Sequence, residues 1–448
     1  MAAGRRHNAA PAAEEMSIEG RSLNKLERCD GGKSLVKENV ATKMRKADVV
    51  VIGGGIVGMS TAYFLQQAGL AVTVVEKEHL AYGASGRNAG FIWLSLRPAG
   101  VQLDLARAGR DLYPGIVDDI GNDFEYRQHG GMIYCFNDGQ LKVLSELAEA
   151  RRADGLDMEL VGSREAVEIC PVLPENVAGA TFCRDDAQIY TPRFVEALGR
   201  AFVARGGIVL DRTEVLSVAI SGGKAIGVET TAGPVSADQV VIATGAWSAP
   251  FLEGLDVRLP IRPMRLQAMS TTPMALKFKP VLYGPLALKQ YSMVRELPSY
   301  RDDLFRSPTE ASLTNVELLE CAVQRLDGTV LMGCAMDYPG YQQTSTLEGV
   351  GITAKVFSEH LPALRDHEVE KAWACMLPST PDSIPYIGAL EGVEGIVIAA
   401  GHVFGNAAGP ITGKLVMELI TGRTPSLNME PFNVTRHAGI SVDDPVLW

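Results

Sequence analysis

The sequence predicts a mixed α/β chain (α+β overall): a parallel central sheet in one domain, and a mixed or antiparallel sheet in a second. Two observations lead there. The run from Val49 to Val75 carries no charged residue and is long enough to cross a bilayer, but its texture is that of strand, turn, helix, strand. Val49-Val50-Val51-Ile52 is a β-branched burst, Gly53-Gly54-Gly55 breaks it, Ile56 to Gln67 reads as a helix that Gly69 ends, and Val72-Thr73-Val74-Val75 is a second burst. Parallel strands covered on both faces need no charge, so a buried βαβ unit accounts for the run. The second observation is that strand-like bursts recur between helical patterns along most of the remaining chain.

In order, residues 1–46 are rich in Ala, Glu, Lys, Arg and Asn without apolar periodicity, and predict a disordered leader. They lack the apolar stretch of a secretory signal. Gly31-Gly32-Lys33-Ser34 resembles the end of a phosphate loop, but Glu27 stands where the first glycine belongs and no strand precedes it. After the βαβ unit the pattern predicts helices over Leu103–Val117, Gln140–Arg152 and Phe194–Arg205, with a strand over Gly131–Phe136. Strands are expected at Ile208–Leu210, Glu214–Ile220, Ala225–Glu229, Gln239–Ala243 and Thr329–Met332. Residues 260–308, punctuated by Pro and Tyr, give no clear pattern. Gly395–Ala400 reads as a last strand, followed by a Gly-rich turn and a helix from about Pro410 to Ile420.

At 448 residues, 46% hydrophobic and 21% charged, the chain is of ordinary globular composition and long enough for two or three domains. A formal charge of −11 argues against a protein that works by neutralising nucleic-acid phosphates. The 7 cysteines are odd in number and lack C-x-x-C pairing, which fits neither a disulfide framework nor a structural zinc site and points to a reducing, cytoplasmic setting. Peripheral membrane association stays open. The 7 histidines lack ligand spacing, so no metal is expected.

Gly53-Gly54-Gly55-Ile56-Val57-Gly58 matches G-x-G-x-x-G between a strand and a helix. Gly53 makes the turn, Gly55 lets backbone amides approach a pyrophosphate, and Gly58 lets the helix pack on the strand. Glu76 ends the second strand, placed to grip ribose hydroxyls. This is a Rossmann-like dinucleotide site that would serve NAD or FAD.

Four further segments carry a family resemblance. Ala84-Ser85-Gly86-Arg87-Asn88-Ala89-Gly90 resembles the flavin-contacting segment of the D-amino acid oxidase superfamily. Val241 to Ser248 resembles its second A-T-G motif, and Trp373 to Gly388 its W-x-x-x-x-P-x-T-x-D-x-x-P-x-x-G stretch. Ile398 to His402, followed by Gly405 and Gly409, resembles its C-terminal flavin loop. Together they span roughly Ala47 to Gly422, with the nearest likeness to the glycine/sarcosine oxidase and amino-acid or opine dehydrogenase branch.

The resemblance implies FAD held by Gly53, Gly55, Ile56, Val57, Gly58, Glu76, Lys77, Ser85, Arg87, Asn88, Ala89, Gly90, Val215, Thr244, Gly245, Trp247, Cys375, Gly401, His402, Gly405 and Asn406. It implies a discontinuous FAD-binding domain (47–130, 185–263 and 372–425), a substrate domain (131–184 and 264–371) and a C-terminal tail (426–448). The implied reaction is oxidation of a CH–NH bond in an amino acid, N-substituted amino acid or opine-like amine, by hydride transfer to flavin N5. The chain could also be the FAD-carrying subunit of a hetero-oligomeric dehydrogenase, or a flavin-binding protein with little catalysis of its own. A homo-oligomer is equally compatible.

Two positions depart from the pattern. Leu377 stands where glycine oxidases and D-amino acid dehydrogenases carry a carboxylate-binding arginine, and Phe404 where glycine oxidase carries a second. Arg87, Arg97 or Arg265 could replace them, or each could be structural. Cys375-Met376 resembles the segment through which sarcosine and pipecolate oxidases attach flavin to sulfur; a small buried filler is the other reading. Non-covalent FAD is expected. Lys289 resembles a lysine placed over flavin N5, and His402 lies at the flavin edge; these two are the candidate catalytic residues, each with an ordinary structural role as the alternative.

Overall fold

The burst Val49–Ile52 is buried throughout and sits inside a six-stranded sheet. Val72–Val75 and Ile208–Leu210 follow on one side, and Gln239–Ile242 and Ile396–Ala400 on the other, all in parallel. Tyr386–Ala389 closes that edge antiparallel to Ile396–Ala400. The computed structural model describes residues 45–306 and 316–440, all within one compact unit. The expected phosphate-loop likeness and nearly all of the expected leader lie outside the described residues. Arg45–Lys46, expected in the leader, instead pair in parallel with Val235–Ser236 at the edge of a four-stranded sheet.

The connection from Val49–Ile52 goes one way and the later Gln239–Ile242 is added on the other. The strand order therefore reverses between these two strands. In an open α/β sheet that reversal opens a crevice at the carboxyl ends of the strands. Gly53 turns the chain there with φ +107°, and a Cβ on it would meet Ala243 O at 2.4 Å. Gly58 lies in the helix Ile56–Gln67 with no room for a Cβ, which would fall 1.9 Å from Gly53 O. Missing side chains thus bring the amide end of the helix against the turn.

The second large layer is an eight-stranded sheet in the order Val369–Ser379, Arg262–Thr271, Val330–Asp337, Glu317–Gln324, Val281–Tyr283, Gly131–Cys135, Gly179–Cys183, Met158–Gly162. Its one parallel pair is Val281–Tyr283 with Gly131–Cys135. The strands Arg262–Thr271 and Val369–Ser379 run straight through the boundaries expected at 263/264 and 371/372. Among the described residues no helix is long and apolar enough to cross a membrane.

Two helix expectations differ from the structure. The helix expected over Leu103–Val117 is two, Val101–Arg110 and Tyr113–Ile120, because Pro114 is tolerated only in a first turn. The last helix begins at Gly405, upstream of Pro410, and runs to Ile420. A mid-helix proline withholds the N–H that the carbonyl four residues back needs. That carbonyl belongs to Asn406, and the buried Tyr113 hydroxyl donates to it at 2.7 Å. The side chain replaces the missing backbone donor, so the helix continues.

Tyr113→Phe should therefore lower the unfolding free energy by about 1–3 kcal/mol, the cost of a buried acceptor left without a partner. Pro410→Ala restores an N–H, so the same tyrosine substitution in that background should cost measurably less. Urea unfolding of the four proteins of this cycle checks it; equal costs in both backgrounds would disprove the replacement.

Candidate functional site

A cavity of about 520 Å³ opens where the carboxyl ends of the parallel strands meet the eight-stranded sheet. Gly53, Gly55, Ile56 and Val57 form one part of its wall, with Glu76, Lys77 and Val215 beside them. Ser85 and Arg87 through Gly90 form the next part, and Thr244, Gly245 and Trp247 another. His402, Gly405, Asn406 and Cys375 complete the expected set in the wall. Gly58 and Gly401 are not in it; Gly58 packs behind the turn, and a Cβ on Gly401 would meet Thr380 at 2.4 Å. Lys289 is not in it either. It ends the short 3-10 helix Pro285–Gln290, whose Leu286, Ala287 and Leu288 take the buried positions.

The glycine turn fits a diphosphate. Gly55 has an extended ψ and no side-chain cap over the helix it precedes, and the first turn holds no acidic residue. A Cβ on Gly55 would meet only Ser85 Oγ, at 3.2 Å, so this glycine keeps a space open rather than a backbone strained. Ser85 Oγ accepts from the Ile56 amide at 2.9 Å. The Glu76 carboxylate accepts from the Gly54 amide at 2.7 Å and the Glu78 amide at 2.9 Å, which fixes it at the strand end beside the turn. Lys77 pairs with Glu214 at the exposed rim.

Asn88 ties the flavin-like segment to two helix starts. Its Oδ1 accepts from the Gly90 amide at 2.8 Å, Thr191 Oγ1 at 2.9 Å and Asn406 Nδ2 at 2.9 Å. Its Nδ2 donates to Ala84 O at 3.0 Å and Ser85 O at 3.2 Å. The last helix starts at Gly405 with no side-chain cap and no acidic residue, so its positive end also faces the cavity.

The sheet side of the wall carries Leu266, Leu319, Cys321, Cys334, Cys375 and Leu377. Sequence reasoning did not find Leu266, Leu319, Cys321, Cys334, Trp93 or Tyr283. Leu319 and Cys321 follow the two-residue alternation of a strand, which tells a face but not what that face meets. Burial disfavours the charged form of four groups that line the cavity. It pushes the Cys375 and Cys321 thiols up and the Tyr283 hydroxyl well up. It pushes the His402 imidazole down to about 3, while His402 Nε2 bonds Thr412 Oγ1 at 2.9 Å.

The three candidate arginines separate. Arg87 donates to Tyr82 O and, at 3.4 Å, to Gly83 O, and so shapes its own loop. Arg265 pairs with Asp337 and donates to Thr344 O at 2.7 Å. Arg97 lines the cavity, is 2% exposed and, like Arg87, has no carboxylate at ion-pair distance among the described residues.

Residues 48–419 match the family described as "DAO: FAD dependent oxidoreductase". A glycine oxidase from Pseudomonas aeruginosa is 29% identical over 397 residues, 86% of this chain and 97% of its own length. Among solved structures, glycine oxidase from Geobacillus kaustophilus superposes with a TM-score of 0.76 at 22% identity, covering 88% of this chain and all of that one. L-proline dehydrogenase from P. horikoshii gives a TM-score of 0.75 at 26% identity, covering 88% and 98%.

Two outcomes test the site. Gly55→Ala fills the open space at the turn, so the variant should fold with near-normal melting of the apoprotein but retain at least about tenfold less flavin after gel filtration. Full flavin retention would contradict the placement. A thiol held neutral is a poor nucleophile, so acid precipitation of the wild-type protein should leave a colourless pellet and all flavin in solution. Flavin fluorescence that stays with the polypeptide and vanishes in Cys375→Ala would contradict that.

Proposed function

The chain belongs to the DAO family of FAD-dependent oxidoreductases, and from that premise we propose that it oxidises the CH–NH bond of an amino acid or N-substituted amino acid. One observation carries the reading. A single cavity joins the glycine turn and the two helix N-termini to an apolar sheet wall where burial keeps Cys375, Tyr283 and His402 uncharged.

FAD, when bound, supplies the two-electron acceptor. In this reading Gly53, Gly55 and the first helix turn would hold its diphosphate, Glu76 its ribose, and Asn88 to Gly90 with the start of the last helix its ring. The chain's own part is to bind, orient and keep water out. The uncharged His402, Tyr283 and Cys375 offer no anionic base, so the substrate would leave its ammonium proton in solvent on entry and react as the free amine. Transfer of hydride from the substrate carbon to that acceptor, with the nitrogen lone pair closing the C=N bond, would give an iminium ion that water hydrolyses to a carbonyl compound and an amine, with release of a proton. The leucines of the wall exclude water from the carbon that loses hydride, which suits charge transfer between groups that carry little net charge. Lys289 has no part in this account, because it does not line the cavity.

The test is anaerobic. Purified holoenzyme mixed with a panel of amino acids and N-methyl amino acids should lose its flavin absorbance with at least one of them, and matched compounds lacking nitrogen should have no effect. If dithionite bleaches the flavin and no amine in the panel does, the reading is wrong.

A further inference from the structure

The family's two expected carboxylate-binding positions hold Leu377 and Phe404 here, and both line the cavity. Arg97 reaches the same wall from a different segment. It is 2% exposed, its guanidinium lies over the Phe404 ring, and its Nε donates to Trp93 O at 3.3 Å. Desolvation lowers its pKa to about 10, so it remains a cation at neutral pH. A buried charge without a counter-ion is costly. Arg265 has its carboxylate in Asp337 and Arg87 has two carbonyls of its own loop; Arg97 has one carbonyl and a hydrogen bond to Tyr291, feels the buried Asp186, and has no carboxylate at ion-pair distance among the described residues.

A second observation is independent of the first. Trp93, also 2% exposed and in the cavity wall, has its indole Nε1 buried without a hydrogen-bond partner. An unpartnered buried donor of this kind is uncommon and calls for a missing acceptor. The third donor is the hydroxyl of Tyr283. Its ring centroid lies 3.7 Å from that of Trp93, and it accepts from Tyr291 at 3.3 Å, which leaves its own proton to give. The segment that carries Trp93 and Arg97 is held by the buried Asp186. Its carboxylate accepts from the Leu94 and Ser95 amides at 2.7 and 3.0 Å and from Ser95 Oγ at 2.7 Å.

We propose that Arg97, the Trp93 indole N–H and the Tyr283 hydroxyl form an anion subsite that takes the carboxylate of an amino-acid substrate with an apolar side chain. The subsite rests on the amine-oxidation reading for its position in the reaction, but it binds carboxylates whether or not turnover occurs. Its three named groups are donors, and no carboxylate stands at ion-pair distance from Arg97 among the described residues, so a planar carboxylate is the group it fits. Leu266, Leu319 and Leu377 in the adjoining wall would favour an aliphatic side chain over none.

The experiment titrates flavin-loaded holoenzyme with 3-methylbutanoate, a carboxylate of that shape without the amine, and reads the flavin difference spectrum. The uncharged 3-methylbutanamide is titrated in parallel. The carboxylate should bind at least tenfold more tightly than the amide. Arg97→Met should weaken it roughly 100-fold, as expected when one partner of a buried charged pair is removed, and Arg97→Lys should recover part of the loss. Should Arg97→Met not purify with flavin, Trp93→Phe decides: removing only the N–H should weaken the carboxylate several-fold and leave amide binding unchanged. No detectable carboxylate binding, equal affinity for the amide, or affinity unaffected by these substitutions would each overturn the proposal. Arg97-dependent carboxylate binding in a protein that no amine reduces would overturn the oxidation reading and leave the subsite standing. Turnover of an amino acid indifferent to Arg97 would do the reverse.

Discussion

The side-chain amide of Asn88 is the joint on which the cavity depends. One oxygen accepts from Gly90, Thr191 and Asn406, and one nitrogen donates to Ala84 and Ser85. Those partners belong to the loop after the βαβ unit, the start of the helix Thr191–Ala204, and the start of the helix Gly405–Ile420. An amide can both donate and accept at one point, so three elements are held by a single half-buried residue. An aspartate could not donate to the Ala84 and Ser85 carbonyls, and a leucine could do neither. The loop so held carries Ala89 and Gly90, the backbone expected beneath the flavin ring.

The same loop is gripped from the other sheet. Arg325, just beyond the strand Glu317–Gln324, donates to Ala89 O at 3.1 Å and Ile189 O at 2.7 Å while lying over the Tyr190 ring. The Trp373 indole, on the strand Val369–Ser379, donates to Arg87 O at 2.7 Å. The loop of residues 84–90 and the eight-stranded sheet are therefore bound to each other by hydrogen bonds between elements far apart in sequence. Under the proposed function that coupling would set a hydride acceptor and a donor carbon at a fixed distance, since neither sheet can shift without breaking these bonds.

The βαβ unit was legible because its signals are local: a β-branched burst, glycines, a helix-length run and a second burst, with Glu76 at the end. Asn88 was legible as a member of a motif, but not its partners, because Thr191 and Asn406 lie 103 and 318 residues away. Arginine roles were undecidable for the same reason. What separates Arg265 from Arg97 is Asp337, 72 residues from Arg265 across a strand pair. Pro410 misled for a physical reason, since the rule that proline starts or breaks a helix holds unless another donor serves the stranded carbonyl, and Tyr113 does so from 293 residues away. Lys289 was chosen on likeness alone, and nothing in its short segment could show that the neighbouring apolar residues occupy the inward positions.

The most direct measurement is a crystal structure of the protein with FAD. The account predicts the diphosphate on the Gly53–Gly58 turn, the ribose at Glu76, and the isoalloxazine ring between the Asn88–Gly90 backbone and the wall that carries Leu266 and Cys375. A ring lying outside that space, or a dinucleotide bound with the Asn88 contacts broken and the two sheets moved apart, would contradict it.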